Sequence, residues 1–225
     1  LGVNGAWAQW ISAANPLFTI SFVASGHNDA LMVGLALAGT WCALRAGHPL
    51  RPQRPGQSVA WGVAGVVLVT LSLGIKPITL VLLPFIGLLW AGPTARWPRR
   101  FAFWALTAGI SFGLMALVGV LNGFGFGWVA VMVGTGTGTV PWGPIGMLSL
   151  ITVGASELLG QGADVQAVEG VYKTAGRALS VLIVLALMFL GRQDRVMTRM
   201  TWAFTALVIL SPIIQPWYLL WLLPF

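Results

Sequence analysis

Charged side chains are scarce in this sequence. Only 8% of its 225 residues are Asp, Glu, Lys or Arg, whereas 57% are hydrophobic. A soluble globular domain carries roughly 25% charged residues, because its surface must be solvated by water. A chain with so few polar side chains cannot cover a water-facing surface of this size. The composition therefore excludes a soluble domain and indicates that lipid surrounds most of the protein.

Cysteine pairs, nucleotide-binding motifs and a leader sequence are also lacking. The single cysteine, Cys42, cannot form an intrachain disulfide, and its apolar sequence context predicts a small packed side chain. No GxGxxG or Walker pattern is present in the required strand–helix context, so nucleotide binding is not supported. The chain begins at Leu1 without a Met or a signal-peptide pattern and stops in an apolar stretch at Phe225. We expect it to be a fragment of a longer polypeptide.

Long apolar stretches predict membrane-spanning helices. Residues 58–75 and 101–121 are apolar almost throughout, whereas the strands of a membrane barrel alternate apolar and polar residues over about 10 positions. A helix satisfies its backbone amides within its own segment, as hydrocarbon requires. We predict an all-α, polytopic transmembrane fold in a single domain over residues 1–225, with about seven or eight membrane helices.

Positive charge predicts the orientation of these helices. Lys and Arg collect in the cytoplasmic loops of membrane proteins, so the net charge of +7 does not indicate nucleic acid as a partner. The predicted cytoplasmic clusters are Arg45, Arg51 and Arg54, then Arg96, Arg99 and Arg100, then Arg192, Arg195 and Arg199. The predicted helices cover about residues 4–24, 29–44, 58–75, 77–91, 101–121, 178–191 and 200–214. Residues 122–173 are then external, with about 145–159 as an interfacial or re-entrant helix.

The remaining polar groups are predicted to converge on the external face of the plasma membrane. They lie in Gly26–Asp29, at Lys76, in the glycine-rich segment 122–144 and in Gln215–Tyr218. Ionisable residues near a membrane are functional by default. This convergence predicts a site on that face.

The first polar group is His27-Asn28-Asp29, at the start of a predicted helix. Asn28 or Asp29 could simply cap that helix by accepting hydrogen bonds from its free amides. Three polar side chains are more than a cap needs, so a site role is favoured. His27 and Asp29 could bind a sugar hydroxyl, a phosphate or a metal.

Lys76 is the second polar group, and two interpretations of it stay open. Its ammonium could reach interfacial water along its aliphatic stem. Alternatively, a lone cation followed by Pro77 at the tip of a short hairpin could bind the phosphate of a lipid-linked substrate.

Most of the other candidate residues on the predicted external face are aromatic. Gln215, Trp217 and Tyr218 flank Pro216 and could line a carbohydrate pocket, or could form an interfacial aromatic belt. In the glycine-rich segment, Trp128 or Trp142 could stack on a sugar ring, although an external loop with interfacial tryptophans is favoured for either residue alone.

Four blocks together resemble a known family. They are Asn15-Pro16-Leu17, Gly26-His27-Asn28-Asp29-Ala30-Leu31-Met32, Lys76-Pro77 leading to Leu83-Pro84-Phe85, and Gln215-Pro216-Trp217-Tyr218. In this order they resemble the polyprenol-phosphomannose-dependent α-1,6-mannosyltransferases of actinobacteria, which belong to the GT-C glycosyltransferases. The first block is the most specific, and the resemblance spans most of the chain.

The resemblance implies transfer of mannose from a polyprenyl-phosphate mannose to an α-1,6-mannan, the backbone of lipomannan and lipoarabinomannan. A lipid-linked donor, a glycan or glycolipid acceptor and membrane lipid are the implied partners. No cofactor and no metal site are predicted, and a divalent-metal requirement stays open. Two alternatives also stay open, a GT-C enzyme that uses another lipid-linked sugar and a transporter or flippase of lipid-linked sugars.

The resemblance also implies a division of chemical roles. A carboxylate takes the acceptor proton, and cations such as Lys76 stabilise the leaving phosphate. In such enzymes the base is usually an acid of the first external loop, which is expected to precede Leu1. Asp29 is a possible second acid that positions the acceptor. The substrate-binding candidates are His27, Asn28, Asp29, Lys76, Gln215, Trp217 and Tyr218.

Overall fold

The computed structural model describes residues 4–48, 56–134 and 143–224, and every regular element within these ranges is helical. The all-α prediction is confirmed. Arg51, Arg54 and Trp142 lie outside the described residues. The α-helices are α1 Gly5–Ala13, α2 Pro16–Phe18, α3 Asp29–Gly47, α4 Gln57–Ile75, α5 Leu83–Ala91, α6 Trp97–Leu121, α7 Gly127–Gly134, α8 Pro144–Leu158, α9 Val165–Phe189 and α10 Val196–Ile209.

Four of these helices, α3, α4, α6 and α9, are long and apolar enough to cross a membrane by length and composition. Pro77–Ala91 and Pro144–Leu158 are apolar but shorter. The chain therefore has the fold of a polytopic α-helical membrane protein, as predicted. The number of crossings and their direction stay predictions.

Helices α3 and α4 form a close antiparallel pair. The Ser58 hydroxyl donates to Ala46 O at 2.8 Å near one end, and the Ser72 hydroxyl donates to Met32 O at 2.8 Å near the other. Between them the backbones approach at two glycines, since a Cβ on Gly65 would lie 2.9 Å from Gly39 O. Small residues permit this approach, which membrane helices use in place of hydrophobic burial.

The chain then returns along this pair. A 3₁₀ helix, Pro77–Leu82, leads into α5, and α6 runs back against α5, with Trp104 Nε1 donating to Pro84 O at 2.8 Å. Side chains from α3, α4, the 3₁₀ helix, α5 and α10 fill the buried core. This arrangement gives the molecule a Lys76 end, where α3 begins and α4 ends, and an arginine end, where α3 ends and α6 and α10 begin.

Helix α9 begins at Val165, so the predicted start at 178 is wrong. Asp164 caps it by accepting from the amides of Gln166 and Ala167 at 2.9 and 3.3 Å, which extends the helix into a stretch of mixed polarity. Val165–Phe189 is 25 residues long, about 37 Å at the α-helical rise. Part of 122–173 is consequently helical, although its external position stays a prediction.

Two shorter helices, α8 and α10, pack against different halves of α9. Against its N-terminal half lies α8, where the hydroxyls of Thr152 and Tyr172 are 2.7 Å apart. Against its C-terminal half lies α10, from which the Arg199 guanidinium donates to Leu187 O at 2.6 Å. The two meet at Gly176, whose Cβ position is within about 3 Å of both Ile145 and Leu210. That α8 is an interfacial or re-entrant helix stays a prediction.

The first predicted helix, 4–24, is not continuous. It ends at Ala13, resumes at Pro16 and continues as a π-helix over Thr19–Ala24. Pro16 has no amide to donate to the preceding turn, and the residue before a proline is kept out of the helical region. Likewise, the predicted helix 200–214 ends at Ile209.

Candidate functional site

Three X–Pro steps bring the polar blocks together at the Lys76 end. Asn15, Lys76 and Gln215 each precede a proline and adopt extended backbone angles, with ψ of 121°, 124° and 149°. Each proline is then the first residue of a short helix, a position where its missing N–H costs nothing. Helix α2 packs against the 3₁₀ helix Pro216–Trp221. The breaks thus turn side chains out of the helix ends towards one another.

Asp29 and Lys76 form a buried ion pair. Lys76 Nζ lies 2.6 Å from Asp29 Oδ1, and the Asp29 side chain is fully buried while that of Lys76 is 26% exposed. The contact is an ion pair, and Oδ1 accepts no further hydrogen bond from a described group. Asp29 Oδ2 has no hydrogen-bond partner among the described residues.

The capping interpretation of Asn28 and Asp29 is wrong. Asn28 stands at the N-cap of α3 but its side chain makes no cap hydrogen bond, and neither oxygen of Asp29 accepts one from a described group. Asp29 is the first residue of a 19-residue helix, where the helix dipole favours its negative charge without a direct bond.

Two stacked aromatic rings cover the other side of the Lys76 ammonium. Nζ lies 5.4 Å from the centroid of Tyr218 and 5.0 Å from that of Trp221, and the two rings stack at 3.8 Å. Both distances are within the range of cation–π attraction. Burial, and next the charge of Asp29, raise the pKa of Tyr218, so its hydroxyl keeps its proton at neutral pH.

His27 and Trp217 form the outer part of the site. Their rings stack with centroids 5.0 Å apart and an interplanar angle of 22°. His27 is exposed and Trp217 half-buried, and Trp217 also meets Tyr218 edge-on at 6.2 Å. An aromatic surface thus continues from the ion pair to the exterior.

The structure brings five of the seven predicted binding residues into direct contact in one cluster: His27, Asp29, Lys76, Trp217 and Tyr218. Asn28 and Gln215 are their chain neighbours, and the side chain of neither is bonded to any described residue. Binding by all seven stays a prediction. Trp128 lies elsewhere, edge-on to Phe112 at 5.8 Å.

Trp221 is a member of the cluster that the sequence predictions missed. It is buried, its Nε1 has no partner among the described residues, and it lies in an apolar run that predicts only a packed core. The spacing from Tyr218 could have revealed it, because side chains at i and i+3 of a 3₁₀ helix eclipse one another.

A large apolar cavity is lined by residues close to Lys76 in the chain. It has a volume of about 690 Å³ and lies between α6 and α9, walled by the 3₁₀ helix that follows Lys76. Leu73 and Pro77, on either side of Lys76 in sequence, both line it. Two polar atoms in its wall, Thr107 Oγ1 and Trp128 Nε1, have no partner in the described parts of the chain.

Both ends of the chain match models of one protein family. Residues 1–92 match the α-(1→6)-mannopyranosyltransferase N-terminal domain, and residues 145–225 match the MptB C-terminal domain. The chain belongs to the α-(1→6)-mannopyranosyltransferase family. The family resemblance stated from the four sequence blocks is thereby confirmed.

Curated relatives of the chain support the same family assignment. A probable α-(1→6)-mannopyranosyltransferase of Mycolicibacterium smegmatis is 33% identical over 237 residues, covering 98% of the chain and 42% of the relative. An α-(1→6)-mannopyranosyltransferase of Mycobacterium tuberculosis is 31% identical over 263 residues, covering 98% and 44%. The chain thus spans less than half the length of these relatives. No solved structure matches it.

Proposed function

We propose that the full-length protein transfers mannose from polyprenyl-phosphate mannose to an α-1,6-mannan acceptor at the external face of the plasma membrane. The observation that carries this proposal is the Asp29–Lys76 pair, which contacts an aromatic cluster, while Pro77, the next residue after Lys76, lines an apolar cavity. Relatives that bear the mannopyranosyltransferase name support the sugar and the linkage.

The donor has three chemical parts, and the site offers a matching surface for each. An isoprenoid chain is apolar and fits the cavity between α6 and α9. The phosphate follows at the cavity wall, where Lys76 supplies a cation as a point charge. The sugar then faces Trp217, His27 and the unpaired amide of Gln215, since aromatic faces stack on sugar rings and amides bond hydroxyls.

In the proposed reaction an acceptor hydroxyl attacks the anomeric carbon of mannose and the polyprenyl phosphate leaves. Charge grows on the leaving phosphate in the transition state, so a preorganised cation lowers the barrier. Lys76 is that cation, and Asp29 positions it. Because Asp29 is fully buried and already holds Lys76, we do not assign it as the base that removes the acceptor proton.

The test is a transfer assay with the full-length protein in liposomes. Polyprenyl-phosphate mannose is the donor and a short α-1,6-mannoside is the acceptor. Lys76→Ala is expected to lower kcat by about 10²–10³-fold, the usual cost of removing one transition-state contact. Lys173→Ala is the matched control, because this lysine also forms an ion pair, with Glu169 at 3.3 Å, but in α9.

Other outcomes separate the alternatives. Transfer of a different lipid-linked sugar, with the same loss in Lys76→Ala, would replace mannose and keep the mechanism. Movement of the donor across the bilayer without any transfer would replace the enzyme by a transporter. Wild-type activity in a folded Lys76→Ala variant would remove Lys76 from the site.

A further inference from the structure

A second cavity lies at the arginine end of the molecule. Its volume is about 640 Å³, and it forms where the ends of α3 and α5 meet the start of α6. Helix α3 runs for 19 residues from Asp29 to Gly47, so about 28 Å separates this cavity from the Asp29–Lys76 pair. It is therefore separate from the proposed transfer site.

The lining of this cavity is basic. His48, Arg96 and Arg99 line it, and none of the described lining residues carries a carboxylate. The Arg96 side chain is exposed and makes no hydrogen bond or ion pair with any described residue. Arg99 donates Nε to Ala91 O at 3.0 Å, which fixes its guanidinium at the wall and leaves its terminal nitrogens to bind a ligand.

Helix α6 adds to this positive potential. The helix starts at Trp97 beside the cavity, with no acidic residue in its first turn and no side-chain cap. Its uncapped N-terminus therefore adds a partial positive charge to the two arginines. An anion is the ligand that this combination favours.

A smaller cavity of about 190 Å³ lies next to the basic cavity, and a hydrogen-bond acceptor lies in its wall. The two share Gly47, His48, Gly92 and Pro93. Gln193 lines the smaller cavity, where its Nε2 donates to Leu88 O at 2.8 Å and its buried Oε1 receives no hydrogen bond from a described residue. Asp194 also lines it, but Arg192 binds that carboxylate at 3.0 and 2.9 Å.

We propose that this pair of cavities binds the phosphate of an anionic lipid headgroup. Arg96 and Arg99 bind the phosphate, for which the guanidinium fork has the matching geometry. Gln193 Oε1 accepts from a headgroup hydroxyl. The larger cavity lies within the range of about 300–1,000 Å³ that is typical of ligand sites. Basic pockets between membrane helices on the cytoplasmic side bind anionic headgroups.

The test measures lipid retention by the purified full-length protein. Native mass spectrometry compares phosphatidylglycerol, which carries a phosphate and hydroxyls, with phosphatidylcholine. Loss of each arginine is expected to weaken phosphatidylglycerol binding roughly fivefold, in Arg96→Gln and further in Arg96→Gln/Arg99→Gln. Arg195→Gln is the matched control, since Arg195 is an exposed arginine at the same end but outside both cavities.

Three results would overturn the proposal. One is unchanged phosphatidylglycerol binding in Arg96→Gln, which we expect to fold normally because the exposed Arg96 side chain makes no hydrogen bond or ion pair with a described residue. Another is an equal loss in Arg195→Gln, which would show general surface attraction. The third is displacement of the lipid by millimolar inorganic phosphate or glycerol phosphate, which would assign the site to a soluble phosphate ester. Mannose transfer, assayed in parallel, distinguishes failure of this site from failure of the proposed function.

Discussion

At the scale of single residues, the Asp29–Lys76 pair is asymmetric. Asp29 is fully buried, whereas Lys76 is about a quarter exposed and rests on two aromatic rings. Loss of the lysine would leave an unpaired charge without access to water. Loss of the aspartate would leave a cation that keeps its contacts with the rings. The two single losses are therefore not equivalent.

This asymmetry predicts an order of stabilities. Lys76→Met is expected to lower the free energy of unfolding by about 3–5 kcal/mol, the cost of an uncompensated buried charge. Asp29→Asn is expected to cost less, and Asp29→Asn/Lys76→Met to recover most of the loss, because the neutral pair leaves no buried charge. Unfolding of the four proteins in detergent measures these values.

Lys173→Met serves as the control for this series, since its i,i+4 pair with Glu169, in which both side chains are partly exposed, contributes at most about 1 kcal/mol. Equal costs for the two single variants, or additive costs in the double variant, would contradict the buried pair.

The sequence predicted five members of the cluster because they are polar or aromatic residues beside helix breaks. Asp29 and Lys76 were predicted separately, and their direct contact was not, because 46 positions of chain separate them and only packing of α3 against α4 joins their ends. Trp221 was missed for another reason. An aromatic residue in an apolar run has the same pattern whether it packs in a core or supports a cation.

At the scale of elements, glycine decides how closely α3 and α4 pack. A Cβ on Gly65 would meet Gly39 O at 2.9 Å and Ala43 N at 3.1 Å, both backbone atoms that cannot rotate away. Gly74 lies in the same helix, but a Cβ there meets nothing within 4 Å. The two positions form a matched pair.

Gly65→Ala is expected to destabilise the protein by about 1–3 kcal/mol through overpacking. Gly74→Ala is expected to be neutral or to stabilise by up to about 1 kcal/mol, because alanine favours helix. Thermal unfolding of both variants in detergent measures the difference. Equal effects at the two positions would show that α3 and α4 do not pack through these glycines.

Helix existence could be predicted from apolar length, but the helix ends could not. Residues 58–75 and 101–121 are helical as predicted. The start of α9 was missed because its first turns carry the polar residues Gln166 and Glu169, and polar residues are typical of an external loop. The break at Asn15–Pro16 was overlooked because the surrounding residues are apolar on both sides.

At the scale of the whole molecule, the arginine end and the Lys76 end lie at opposite ends of the long helices. If α9 crosses the membrane, residues just before and just after it lie on opposite sides. Gln161 and Arg195 are both exposed and flank α9. They allow a direct test of the predicted orientation.

Gln161→Cys is expected to react with a membrane-impermeant maleimide on intact cells. Arg195→Cys is expected to react only after permeabilisation. Both are placed in a full-length protein otherwise free of cysteine, with the buried Cys42 changed to Ser. Reaction of both on intact cells would show that α9 does not cross, and the reverse pattern would invert the predicted orientation.

The position of the apolar cavity of about 690 Å³ also affects how a ligand reaches it. The cavity lies between two of the candidate spans, α6 and α9. If both helices cross the membrane, we expect a lipid-linked ligand to reach the cavity by diffusing sideways within the bilayer. The relevant concentration is then the number of ligand molecules per unit of membrane area. Diluting such a ligand with inert phospholipid would slow its binding, whereas diluting the whole suspension with buffer would not.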